Sequence, residues 1–303
     1  MQPPRLATPV AKPVAVLVTA LTAASLLGAC AADDEGTADG VPTAVTDLDP
    51  EAGPTYARYV ALGDSFAALG ATDAPTSGPD RCLRSTANYA SLLAERRDVG
   101  ELVDVTCGGA ETTDMTEPQI PETPPQFDAL TPDTDLVTLS IGGNDIGFGA
   151  MVGCIVQTPR AETGAPCRDR LESTVTDQLD ALGDRLDRVY DGIRDRSPDA
   201  RVVTTAYLPL VPDDGGCEFV SGMSPGDVAW TRHVTERINL IVSDAADRAG
   251  ADVVLPEDAD ERSACAPATE RYTDFTGQET GSHPMHPTQA GHAAMAEAVG
   301  AVL

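Results

Sequence analysis

The chain predicts an α/β fold built on a parallel sheet, and two observations carry that prediction. Short apolar and β-branched runs recur along it, as in Tyr59-Val60-Ala61-Leu62 and Leu136-Val137-Thr138-Leu139. Runs without strict polar alternation read as strands buried on both faces. Between them lie longer stretches with helical spacing, and strands alternating with helices imply a parallel sheet covered on both sides. No stretch between Tyr59 and Leu303 has the composition of an interdomain linker, so one domain is expected. At this length roughly three quarters of the unfolded surface can be buried.

The chain is 303 residues long and opens with a leader. Arg5 and Lys12 form a positive start, and Val14 to Leu27 is an apolar run too short to span a bilayer comfortably. Residues 1–29 therefore read as a signal peptide. Leu27-Gly28-Ala29-Cys30 has the form of a bacterial lipobox, which makes Cys30 a lipidated first residue. Ordinary cleavage near Ala29 or Ala32 is the competing reading. Residues 30–54 hold several acids and almost no large apolar side chains, too few to order themselves, and read as a tether. Residues 55–303 form the expected domain.

Within that domain the first strand is Arg58–Leu62. A helix follows over Thr86–Arg97 with Thr86 as its cap, then strands at Leu102–Thr106 and Asp135–Ile141. A long helix over Asp169–Arg196 stops at Ser197-Pro198. Arg201–Tyr207 is a fourth strand, and Pro225–Ala249 is a helix ended by Gly250. Asp252–Leu255 is a fifth strand, and Thr288–Val302 is the final apolar helix. The expected fold is a three-layer α/β/α sandwich of flavodoxin-like, doubly wound type with about five parallel strands. The intervening segments, Ala71–Arg84, Glu111–Thr134, Gly147–Arg168, Pro209–Ser224 and Glu257–Met285, mostly follow strands and should crowd one sheet edge.

Charge narrows the partners. The chain carries 48 acidic and 20 basic residues, and the leader accounts for two of the basic ones and the only lysine. Such a field repels nucleic acid and anionic surfaces. Of seven cysteines, setting aside Cys30 leaves six, an even number suited to an oxidising compartment. Six cysteines allow 15 pairings, and sequence alone does not choose among them.

Four short blocks carry chemistry. Gly63-Asp64-Ser65-Phe66 follows the first strand, Cys107-Gly108-Gly109-Ala110 the second and Gly142-Gly143-Asn144-Asp145 the third, while His286-Pro287 lies near the C-terminus. A serine lifted to the carboxyl edge of a sheet is a candidate nucleophile once a base and oxyanion donors stand near it. Ala67 stands where a Gly-x-Ser-x-Gly elbow would need its second glycine, so that arrangement is excluded. His286 ends a loop before the last helix and is the candidate base, with His283 its rival. His233 reads as solvated, and His292 as helix surface or packing. A zinc site on His283, His286 and His292 lacks a known ligand spacing, because Pro287 breaks the helical register.

Together these blocks resemble the SGNH (GDSL) family of serine esterases and lipases, in its secreted actinobacterial branch. The resemblance implies Ser65 as nucleophile and His286 as general base. It places the oxyanion hole at the Ser65 and Gly109 amides and the Asn144 side chain. It also implies the disulfides Cys82–Cys107, Cys154–Cys167 and Cys217–Cys265. The family's usual acid three residues before the histidine is replaced here by His283. A dyad is therefore expected, with the His283 backbone carbonyl orienting His286, or an acid supplied by Asp274 or Glu279. Phe66, Ile146, Phe148, Phe219, Met223 and Met285 either wall an acyl pocket or pack as satellite core. The implied protein is a monomeric, exported hydrolase of lipid or small acyl esters, tethered to the membrane through its lipid anchor and needing no cofactor. An acyltransferase, or an inactive ligand-binding lipoprotein of the same fold, would leave much of the same sequence signature.

Overall fold

A computed structural model describes residues 55–303. The expected signal peptide, the expected lipidation site at Cys30 and the expected tether lie outside the described residues. Strand β1 (Tyr56–Gly63) runs into the short helix α1 (Ser65–Ala68), followed by α2 (Tyr89–Leu93), β2 (Val99–Asp104) and β3 (Leu136–Ser140). Helices α3 (Phe148–Gln157) and α4 (Pro166–Arg196) precede β4 (Arg201–Thr205). Then come α5 (Glu218–Gly222), α6 (Pro225–Ala249), β5 (Asp252–Val254), β6 (Thr273–Asp274), β7 (His286–Pro287) and α7 (Gln289–Val302).

The five strands β1 to β5 form one parallel sheet in the order β2-β1-β3-β4-β5. The two-residue period of a strand divides its side chains between two cores. Val60, Leu62, Val137 and Leu139 face α4 and α6, meeting Leu182, Leu186, Trp230 and Ile238. Tyr59, Ala61, Leu136 and Val203 face α2 and α7, meeting Tyr89, Leu93, Met295 and Val299. The result is the three-layer α/β/α sandwich with a five-stranded parallel sheet. Strand order reverses between β1 and β3, and open sheets of this kind bind ligands in the crevice beyond that point.

Local chemistry sets the element ends. Pro166 and Pro225 each open a helix, where their missing N–H costs nothing, and Gly250 closes α6 in the left-handed region. The helix expected over Thr86–Arg97 is shorter and is capped by Asn88, whose side chain accepts from the Ser91 amide. One helix was hidden from the sequence. The segment Gly147–Arg168 reads as loop because Gly147, Gly149 and Gly153 interrupt its pattern, yet Phe148–Gln157 is helical. Its Met151 and Cys154 are buried against the α4 face. Tertiary burial outweighs the roughly 1 kcal/mol that each interior glycine costs a helix.

Candidate active site

The turn carrying Ser65 is held by close approach of main chains. Gly63 ends β1 at φ +150°, and a Cβ there would lie 2.5 Å from the Ser140 carbonyl oxygen. No side chain fits. The Gln126 side chain clamps Gly63 from the other direction, accepting from its N–H at 2.7 Å and donating to its carbonyl at 2.9 Å. Asp64 caps α1 by accepting from the Phe66 amide at 2.9 Å, which leaves Ser65 as the first residue of that helix.

His286 Nε2 lies 2.8 Å from Ser65 Oγ. Its Nδ1 lies 2.7 Å from the carbonyl oxygen of Pro284, which can only accept. The proton therefore sits on Nδ1, and Nε2 offers its lone pair to the serine hydroxyl. The orienting carbonyl belongs to Pro284, not to His283 as the sequence suggests. Met285, at φ +62°, folds the chain back so that the carbonyl two residues before His286 reaches the ring. The antiparallel pair β6–β7 fixes this turn, with Asp274 opposite His286 and the Met285 amide donating to the Asp274 carbonyl at 2.7 Å.

Neither alternative acid is free to serve the ring. The Asp274 carboxylate accepts from the Thr276 and Gly277 amides and the Thr280 hydroxyl, and pairs with Arg271. Glu279 pairs with the same arginine. Burial pushes the His286 pKa down to about 4; the Pro284 carbonyl opposes this and the neighbouring His283 adds to it. The ring is thus neutral, as a base must be.

Gly109 and Asn144 line the same groove as Ser65 and His286. Gly109 has φ +81°, and an added Cβ would meet only Gln119 Nε2, at 3.5 Å. The need for glycine there is conformational, and space would allow a side chain. The Asn144 amide donates to the Ala110 carbonyl at 2.9 Å, joining the turns after β2 and β3, and its second hydrogen is left over. Asp145 braces this arrangement. Its carboxylate accepts from the Thr112 amide and hydroxyl and pairs with Arg185 at 3.3 Å.

The six cysteines pair as Cys82–Cys107, Cys154–Cys167 and Cys217–Cys265. The first ties a loop beside α2 to the turn carrying Gly109. The second fastens the end of α3 to α4, and the third joins the loop before α5 to the loop after β5. His233 is exposed on α6. His292 is packing and not surface, with 1% of its area exposed.

An apolar cavity opens beside Ser65 and runs beneath Phe66, Ile146 and Phe148 toward Val234 and Ile238 of α6. A smaller, wholly apolar one adjoins it, reaching Phe219, Met223 and Met285. Phe148, Met151, Leu210 and Val211 line both. The residues walling a possible acyl pocket thus divide between two neighbouring spaces. Sequence reasoning missed Gln126, which sits in an irregular segment with no pattern to mark it. It also missed Tyr207, whose position at the end of a strand, on the edge that carries Ser65, was a usable signal.

Comparison with known proteins identifies the family. The chain is 36% identical over 265 residues to Lipase 2 of Streptomyces coelicolor, covering 84% of this chain and 89% of the relative. The crystal structure of an extracellular lipase from Streptomyces rimosus superposes with a TM-score of 0.69 at 26% identity, over 82% of this chain and all of that one. A phospholipase A1 from Streptomyces albidoflavus superposes at 0.64 and 26% identity, over 81% and 99% of the two chains. Residues 61–294 match the GDSL-like Lipase/Acylhydrolase family, so the chain belongs to that family of ester hydrolases.

Proposed function

We propose that this chain is an exported serine hydrolase that cleaves carboxylic esters through an acyl-enzyme. The observation carrying the reading is the 2.8 Å approach of His286 Nε2 to Ser65 Oγ, with the other ring nitrogen committed to the Pro284 carbonyl. Serine is a weak nucleophile until such a base removes its proton. Ser65 Oγ attacks the acyl carbon as Nε2 takes the proton. The resulting oxyanion is met by the Ser65 and Gly109 amides and by Asn144 Nδ2. His286 then protonates the departing alcohol. Water enters by the same route, and its attack frees the acid and regenerates the hydroxyl. The imidazolium is steadied by a neutral carbonyl where a triad would use a carboxylate.

The apolar cavity beside Ser65 suits an acyl chain, and the open groove along Gly109, Leu83 and Met285 suits the alcohol part. The lipase and phospholipase A1 names of the relatives agree with acyl esters as the substrate class. Ser65→Ala should abolish hydrolysis of p-nitrophenyl esters and labelling by a fluorophosphonate, with circular dichroism unchanged. Hydrolysis at the wild-type rate without that hydroxyl would end the proposal.

Export is supported by the leader and by three disulfides, and lipidation at Cys30 would hold the enzyme at the outer face of the membrane. Cys30→Ser should release the protein from the membrane fraction or stall its processing. A soluble wild-type protein starting beyond Cys30 would show the anchor to be wrong.

A further inference from the structure

The ladder between β1 and β3 ends at the pair Gly63–Ser140, just short of the turns that carry Ser65 and Asn144. Beyond it the Asp64 amide still donates to the Ser140 carbonyl at 2.8 Å. After that the two turns are joined by a buried side chain, Tyr207, two residues beyond the end of β4. Its hydroxyl donates to Asp64 Oδ2 at 2.6 Å and accepts from the Gly143 amide at 2.7 Å. A phenol has one proton, so giving it to the carboxylate leaves the oxygen to receive the amide. One oxygen thus links the residue before Ser65 to the residue before Asn144.

Tyr207 is itself held from both sides. Its N–H donates to Asn239 Oδ1 at 2.8 Å, and Asn239 Nδ2 donates to its carbonyl at 2.9 Å. The ring packs edge-on against Phe66 with centroids 5.1 Å apart. The Asn239 clamp just past β4 mirrors the Gln126 clamp on β1, so Tyr207 reaches from one main-chain segment pinned by a side-chain amide toward another.

We propose that Tyr207 is a positioning residue for ester hydrolysis, its hydroxyl locking the Asn144 turn to the Ser65 turn, and that Asn239 holds it in place. The proposal rests on the reading of Ser65 as nucleophile and Asn144 as oxyanion donor. Donors aimed at a developing oxyanion work only when the hole is fixed in advance, and displacement by about 1 Å can cost 10²-fold.

The link depends on an ionised Asp64. Burial drives that carboxyl up to about 7, against the Tyr207 hydroxyl and the Phe66 and Gly143 amides, while Asp145 raises it further. The titratable groups facing it are Tyr207 just past β4, Asp145 in the turn after β3 and Tyr89 of α2. Once Asp64 is protonated it accepts less well, so kcat should show a partial step near pH 7. That step lies above the complete loss set by His286. Deleting the phenol hydroxyl removes the very link that this protonation weakens, so the step should disappear from the kcat profile.

The experiment is Tyr207→Phe, which keeps the ring on Phe66 and removes only the oxygen. On a water-soluble short-chain p-nitrophenyl ester, kcat should fall about 10- to 100-fold with KM within about twofold, and the upper pH step should disappear. Asn239→Ser should lower kcat several-fold with the same KM, and serves as the second variant if Tyr207→Phe does not fold. A wild-type kcat in Tyr207→Phe overturns the proposal. So does a loss of activity that leaves the step near pH 7 in place, which would mark Tyr207 as structural only; for Asn239→Ser alone, an unchanged kcat overturns it. Ser65→Ala separates the two levels. If that variant is dead while Tyr207→Phe is fully active, only the positioning role falls; if Ser65→Ala stays active, both fall.

Discussion

His286 and His292 stand six positions apart, and burial pushes both rings down to about 4. By pKa they are nearly twins. Their neighbours separate them. His286 presents a bare Nε2 to a serine hydroxyl and lies at the groove. His292 is enclosed between α7 and α2, where its Nδ1 accepts from the Tyr89 amide at 3.1 Å and its ring stacks on the Tyr89 phenol. The first lone pair faces a group that can give up its proton in a reaction; the second holds the first N–H of a helix. A depressed histidine pKa therefore reports enclosure, and only the partner of the lone pair reports chemistry.

Replacing each histidine by alanine should pull the pair furthest apart. His286→Ala should lower kcat by about 10² to 10⁴, the usual cost of losing a general base, with a melting temperature close to wild type. His292→Ala should do the reverse. It leaves a cavity and an unpartnered Tyr89 amide in the core, at a cost of roughly 2–4 kcal/mol in denaturant melts. Folded enzyme should keep its kcat within several-fold. If His292→Ala were as inactive as His286→Ala while fully folded, the contrast drawn from their partners would be wrong.

Acid should divide them next. For His292 the folded pKa is about 4 against an ordinary 6.5. The unfolded chain takes the proton first as pH falls, so the stability held by the neutral ring is complete above 6.5. It is lost as pH drops toward 4, on the order of 3 kcal/mol for so enclosed a group. Unfolding curves across that window should be less pH-dependent in His292→Ala than in wild type. The complete loss of activity in acid should follow His286 and stay where it is in that variant. Its ring keeps a partly open edge, so the limb should fall between 4 and 6.5. An acid limb that moves with His292 would tie catalysis to the wrong ring.

This contrast also marks how far a sequence can be read. Glycines at strand ends, as in Gly63-Asp64-Ser65 and Gly142-Gly143-Asn144, announce sharp turns at one sheet edge, because strand direction and side-chain period leave few other places for them. The five strands and the two long helices were legible for the same reason: Leu179, Leu182, Leu186, Val189 and Ile193 repeat at helical spacing. Helix α3 was not legible, since its glycines remove the pattern that burial later supplies. The carbonyl that orients His286 was not legible either. Choosing Pro284 over His283 depends on the left-handed conformation of Met285, and an unbranched apolar side chain gives no local sign of that. Gln126, Tyr207 and Asn239 act through a few long-range contacts, which no period encodes.

The smallest expected effect tests the orienting carbonyl. Because Nδ1 donates to the Pro284 main chain, the side chain at position 283 can be changed without removing the acceptor. His283→Ala should keep kcat within a few-fold. It should also move the His286 limb slightly upward, because the charge of a protonated His283 lowers the His286 pKa and its removal relaxes that. His283→Asp reverses the sign of the neighbouring charge. A carboxylate there favours the imidazolium, so the limb should move further up, in the order wild type, alanine, aspartate, with kcat on the plateau held or modestly raised. Burial lowers the pKa of His283 as well, so above neutral pH it is uncharged and the three proteins should converge unless the new carboxylate acts. If His283 were itself the base or a proton relay, the alanine variant would instead lose orders of magnitude in kcat. A pH–kcat series on the three proteins, with folding checked by circular dichroism, separates these outcomes. Collapse of activity in both variants would refute the main-chain dyad.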